Sequence, residues 1–184
     1  MDKLDFCKQL SKNVKNTETV NPYWEFKHNQ ICHKNGKPLV PDDLPFLKPI
    51  LKYFQLISNT FNTEAQCVVI KKADESKIDS SLLRLPYDSD DFILVVLPQT
   101  NTTVSSNVPE EIWQKYIVNK DIVPYARVHS HHIFDAYQST VDYSTLNSGT
   151  LEIVMGHIFK TPVYCYWLDE KGRNTKQYIF KSKL

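Results

Sequence analysis

The residues best equipped for chemistry stand together between Val128 and Tyr143, in the segment VHSHHIFDAYQSTVDY. Two imidazoles, a hydroxyl and a carboxylate follow one another there as H-x-H-x7-S-x-x-D: His129, His131, Ser139 and Asp142. A catalytic zinc site needs three protein ligands drawn from such donors and a fourth position left open for water. His129, His131 and Asp142 are candidates for the three, and Ser139 adds a hydrogen-bond donor. A lone H-x-H carries little weight, because short motifs often mislead. All four positions at fixed spacing match by chance in fewer than roughly one chain in a thousand of average composition.

The elements around the motif must bring these side chains together. Tyr125-Ala126-Arg127-Val128 enters it as a stretch compatible with a strand. On a strand, residues two apart share a face, so His129 and His131 project together and Ser130 points away. Ser139 and Asp142 lie three apart in STVDYSTL, a run without glycine or proline. Serine favours a helix N-cap and an acid suits the first turn, so a helix is expected to start here. Packed against the strand end, that turn could deliver Asp142 to the histidines. The alternative is a plain capped helix following ordinary loop histidines.

Composition narrows the partners. The chain has 184 residues, 41% hydrophobic and 23% charged, with a net charge of +1. That suits one soluble domain with a real core and room for a small appendage. Three arginines against nineteen lysines give no case for bidentate phosphate recognition, and no nucleic-acid partner is indicated. The start, MDKLDFCKQLSKN, lacks the apolar core of a signal peptide, and no run is long enough for a transmembrane helix. A cytoplasmic location and no membrane partner are the expectations. Cys7, Cys32, Cys67 and Cys165 are scattered without a C-x-x-C and are read as small thiols, with Cys67 and Cys165 in apolar runs. Oligomeric state is not legible.

Residues 1–40 read as a polar helix and a hairpin, an appendage to a main domain over 41–184. His28, Cys32 and His33 fall in that hairpin at a spacing that matches no standard metal site. Asp42-Asp43 then cap an amphipathic helix with Phe46, Leu47, Ile50, Leu51, Phe54 and Ile57 along one stripe. EAQCVVIKK is a strand, followed by a polar stretch to Ser80, and Phe92–Leu97 reads as a fully buried central strand. Asn101–Asn107 reads as a loop, and Pro109-Glu110-Glu111 opens a short helix through Val118. Beyond the motif, LEIVMGHIF, PVYCYWLD and KQYIFK are three more strands, the last entered by a turn at Lys171–Asn174. The order indicates an α/β fold, a mixed sheet flanked by helices.

The segment HSHHIFDAYQSTVD resembles the H-x-H-x7-S-x-x-D signature of the JAMM/MPN+ zinc metalloproteases across its full length. More loosely, the resemblance runs from the helix at 46–58 to the strands near 168. It implies a curved mixed sheet between helices, similar to that of the cytidine deaminases. It also implies zinc held by His129, His131 and Asp142, with Ser139 supporting the attacking water and the developing oxyanion. Many members cleave peptide or isopeptide bonds at the C-terminus of ubiquitin or ubiquitin-like proteins, so a protein or peptide substrate is expected. A catalytically silent scaffold of the same fold is the alternative. A zinc deaminase would need H-x-E and P-C-x-x-C, which are absent.

The family also uses a glutamate at the start of the strand after its first core helix, and Glu64 occupies that place here. The chemistry needs it, since a base must take a proton from water and later return it to the leaving amine. Glu110 and Glu111 are the next candidates, although acids at a helix start are favoured for the dipole alone. Glu75 in a charged turn and Glu25 on the hairpin are weaker ones. The chain departs from the family in carrying His132 where members usually have proline. On a continuing strand its ring would face away from His129 and His131, in a surface or packing role, with a hydrogen bond behind the ligands as the other reading.

Overall fold

The computed structural model describes residues 44–140, 142, 150–158, 163–168 and 174–179, the last two ranges by their backbone. The expected N-terminal helix and hairpin, the Asp42-Asp43 cap and the turn at 171–173 lie outside these residues.

The amphipathic stripe forms helix α1, Leu47–Phe61, which buries Leu47, Ile50, Leu51, Phe54 and Ile57 at the expected spacing. It ends at Asn62, whose positive φ of 56° suits a residue type that tolerates the left-handed region, and whose N–H returns to the Ser58 carbonyl. Strand β1 follows at Gln66–Lys71, then a short 3-10 helix, Lys72–Lys77, within the stretch expected to be merely polar. The next strands are β2 (Leu83–Arg84), β3 (Phe92–Val96), β4 (Thr100–Asn101) and β5 (Ser106–Asn107). The short helix α2 spans Glu110–Tyr116 and leads to β6, Ala126–His131. Three strands close the fold: β7 (Leu151–Gly156), β8 (Val163–Leu168) and β9 (Asn174–Ile179).

Seven strands form one mixed sheet in the order β2-β3-β1-β6-β7-β8-β9. Two expectations change here. The Phe92–Leu97 run is buried but not central, because β3 has only the two-residue β2 outside it. An unbroken apolar run reports burial on both faces, not position in the sheet. The Asn101–Asn107 segment is a minimal hairpin, with Thr100 opposite Asn107 and Asn101 opposite Ser106.

Strand β6 holds the middle of the sheet. It pairs antiparallel with β1 and parallel with β7, while the other described pairs of this sheet are antiparallel. A parallel pair cannot be joined by a tight turn and needs a crossover. Residues 132–150 are that crossover, and they contain the second half of the motif.

The two faces of the sheet differ. Cys67, Val69, Leu94, Val96, Ala126, Val128, Ile153 and Met155 pack with α1 into one apolar core. The alternate residues Val68, Ile70, Ile93 and Val95 face a smaller core, closed by Ile112, Trp113 and Tyr116 of α2. Among the described residues no helix is long and apolar enough to cross a membrane.

Candidate metal centre

The strand alternation expected across the motif is present. Ala126 and Val128 face α1, and Ser130 on that side accepts the Ala65 N–H at 3.0 Å. His129 and His131 share the opposite face, with their Nε2 atoms 3.2 Å apart. Thr140 and Asp142 are helical, and the helix start is capped reciprocally. Ser139 Oγ accepts the Asp142 N–H at 3.1 Å, and the Asp142 carboxylate accepts the Ser139 N–H at 2.8 Å. This exchange is a capping box shortened by one methylene. It aims the Asp142 carboxylate at the histidines, with Oδ1 3.4 Å from His129 Nε2 and Oδ2 3.9 Å from His131 Nε2.

These three side chains could hold a metal ion, since their donor atoms all lie within 4.8 Å of one another. Zinc bonds of about 2.0–2.1 Å at tetrahedral angles separate neighbouring donors by about 3.3 Å. The separations of 3.2 and 3.4 Å are near that value and the third, 3.9 Å, is wider, while two nitrogens with one oxygen form an accepted donor set. The three donors differ in proton affinity, and a metal would have to displace a proton at His129 but not at His131. Burial, reinforced by the neighbouring His129 ring, lowers His131 to about 3, so its ring is neutral at pH 7. Burial alone would raise the Asp142 carboxyl, but the His129 ring beside it outweighs that and holds it below the ordinary range. Burial likewise opposes a proton on His129, yet Asp142 outweighs it and raises that ring above 6.5.

Glu64, two residues ahead of β1, comes to the same place. Gln66 is the register partner of His129, and the Ser130 N–H donates to the Ala65 carbonyl at 2.9 Å. Continuing that register two residues sets Glu64 across from His131, on the histidine face. Its backbone N–H is held by the Thr102 carbonyl at 2.8 Å, so the β4–β5 hairpin fixes where the strand starts. The side chain is buried, and burial first, then the negative Asp142, raises its carboxyl well above 4.5. The rival acids sit elsewhere. Glu110 and Glu111 are exposed on α2, where Glu110 accepts from Gln114. Glu75 is half-buried and pairs with Lys72 and Arg84, and Glu25 lies outside the described residues.

Several contributors escape a reading of the motif alone. Tyr137 packs its ring edgewise on His131, with centroids 4.6 Å apart. Its phenol is pushed up to about 12 by burial and by the nearby Glu64 and Asp142 carboxylates, so it stays a proton donor. The Asp135 carbonyl lies 3.1 Å from His131 Nδ1, the hydrogen bond that fixes tautomer and ring direction in metal-binding histidines. Gly156 makes room for this arrangement: a Cβ there would stand 1.9 Å from the Ala136 nitrogen. A lone glycine in an apolar strand signals such close approach, so this feature had a visible trace in the sequence.

Arg127 and Glu152 are paired across the parallel register beside His129. Arg127 Nε donates to Glu152 Oε1 at 2.5 Å, Nη2 contacts the same oxygen, and Trp113 covers the guanidinium. Glu152 is raised to about 7, chiefly by burial. His132 lies past the strand end, buried, with its ring turned to the end of α1 and not to the ligand pair. Cys67 is a buried free thiol, as expected.

No family model matches the chain, and no curated protein matches it at a significant level. What the site can do is therefore read from its residues and their geometry.

Proposed function

We propose that the protein is a zinc-dependent peptidase of the JAMM/MPN+ type, cleaving a peptide or isopeptide bond near the C-terminal tail of a ubiquitin-like or other protein. One observation carries this reading: His129, His131 and Asp142 converge as candidate ligands, while buried Glu64, a separate carboxylate just ahead of β1, falls across from His131 when the β1–β6 register is continued. Three ligands with a non-ligating acid beside them is the arrangement of hydrolytic zinc sites. The mixed sheet, the crossover carrying the motif and the covering helices are compatible with the MPN fold.

Zinc, when bound, would supply a Lewis acid that acidifies water and polarises a carbonyl. The chain's own residues do the rest. Glu64 takes a proton from the attacking water and returns it to the departing amine. Burial, and then the negative Asp142, raise its proton affinity, so it holds the proton it takes more firmly than an exposed carboxylate would. Ser139 has one lone pair committed to the Asp142 N–H, and its O–H remains able to donate to the oxygen that gains charge. Tyr137 closes one side of His131 and limits water there.

The test starts with the purified full chain, assayed for bound metal and for cleavage of a fluorogenic peptide that carries a ubiquitin-like tail sequence. Stoichiometric zinc with turnover is expected. Glu64→Gln should keep the zinc and lose about 100- to 10,000-fold in rate. Protein that takes up no zinc, or iron in its place, would remove this reading.

A further inference from the structure

His132 directly follows the second histidine ligand, yet its ring turns the other way, to the last turn of α1. Nε2 lies 2.7 Å from Asn62 Oδ1, and Nδ1 lies 2.5 Å from Ser58 Oγ. An amide oxygen only accepts, so Nε2 carries the hydrogen and Nδ1 accepts from the Ser58 hydroxyl. Both ring nitrogens are thereby engaged and one tautomer is selected. Ser58 lies in the last turn of α1 and Asn62 ends that helix, so a single ring can bridge the two side chains. Asn62 is also the left-handed residue that ends the helix on the Ser58 carbonyl, which makes this a well-defined anchor.

The backbone held by this ring is a constrained one. His132 has φ of 33°, which proline, locked near −65°, could not adopt. Its carbonyl accepts the Ile158 N–H at 3.1 Å, and the Phe134 carbonyl accepts the His157 N–H at 2.5 Å. Asp135 meets the His157 ring at 3.0 Å. The turn thus sits between the end of α1 and the end of β7, and it finishes in the Asp135 carbonyl that faces His131 Nδ1.

We propose that His132 is a positioning residue for the metal centre. It clamps the 132–135 turn to the end of α1, and so keeps the Asp135 carbonyl on His131 Nδ1 with Nε2 aimed at the shared donor cluster. This rests on the metal-centre part of the function proposed above. Removing the clamp lets the carbonyl drift and the His131 ring rotate, so the effect should appear in the metal site first.

The experiment uses the metal-free full chain titrated with Co2+, read by its visible ligand-field spectrum, and with Zn2+ in competition against a chromophoric chelator. His132→Ala should weaken zinc binding by about 10- to 100-fold and alter the cobalt spectrum. Ser58→Ala combined with Asn62→Ala should do the same, and adding His132→Ala to that pair should cost little more, since the three act as one unit. His132→Gln, whose amide can both donate and accept, should recover part of the loss. Leu51→Ala, in the α1 core, controls for general destabilisation and should leave affinity and spectrum unchanged. Wild-type binding in His132→Ala would overturn the proposal, as would a Leu51→Ala variant that reproduces its losses. If the wild-type chain binds neither metal, the metal-centre reading falls and this proposal with it. Binding by the wild type with no change in the variants would overturn this proposal alone.

Discussion

The same strands build two unlike surfaces. On the α1 side, β1, β6 and β7 contribute Cys67, Val69, Ala126, Val128, Ile153 and Met155, and the surface is dry and apolar. On the other side the alternate positions include Gln66, Arg127, His129, His131 and Glu152, with the acids and imidazoles crowded at one end. Pleating lets neighbouring residues belong to different environments. The larger apolar core lies on the α1 face, and the other face, beyond its smaller core, holds groups that repel, lose solvation or shift their proton affinities. Glu64, His131 and Glu152 all carry that burden.

Substitutions on each face should separate the two roles. The largest change in stability belongs to the α1 side. Phe54→Ala empties a fully buried position there and should cost about 3–5 kcal/mol in chemical denaturation. Zinc bound per folded molecule should stay the same, and a parallel loss of metal would mean that the faces are not separable.

Next comes the stabilisation that metal itself supplies. Zinc at a hundred times its dissociation constant should raise wild-type stability by about 2.7 kcal/mol. His131→Ala should show none of this in a thermal shift measurement. Its metal-free stability should change little, because the substitution also removes a buried imidazole facing another one. A metal-free His131→Ala chain that fails to fold would place His131 in the structural half of the comparison.

The smallest effect is a pH dependence at Glu152. Burial holds this carboxyl at about 7 against an ordinary 4.5, so the folded chain keeps a proton that the unfolded chain releases between those values. The resulting contribution to stability is whole below pH 4.5 and is lost as pH rises through about 7. Glutamine does not titrate. The stability of the metal-free wild type relative to Glu152→Gln should therefore fall as pH is raised from about 5 to about 8. A difference that stays flat, followed by urea titration at each pH, would show that Arg127 holds the carboxylate charged throughout.

Much of this division was legible because period carries it. The alternation of ARVHSH separates the histidine pair from Ser130, and S-x-x-D announces a capped turn, so the cluster of His129, His131 and Asp142 could be expected from local pattern. Element order points to Glu64, and continuing the β1–β6 register two residues past Gln66 sets it across from His131. What the pattern did not reveal depends on contacts between distant segments. The position of β3 near an edge follows from pairing, which an apolar run does not encode. The grip of Ser58 and Asn62 on His132 joins residues about seventy positions apart, and nothing local marks it. The Arg127–Glu152 pair needs the parallel register of β6 and β7 before it can be seen.

That parallel register has a further consequence, for the order of assembly. The end of β6 and the crossover that follows it carry all three candidate ligands within fourteen residues, His129 to Asp142, so bringing them together closes only a short loop. Glu64 joins only when β1 docks on β6, a contact spanning about 65 positions, as the Ala65–Ser130 bond does. Contacts of such separation form late and slowly compared with local ones. On the function proposed above, a nascent or partly unfolded chain would capture a metal while still lacking Glu64, and would gain activity only once the central strands have closed.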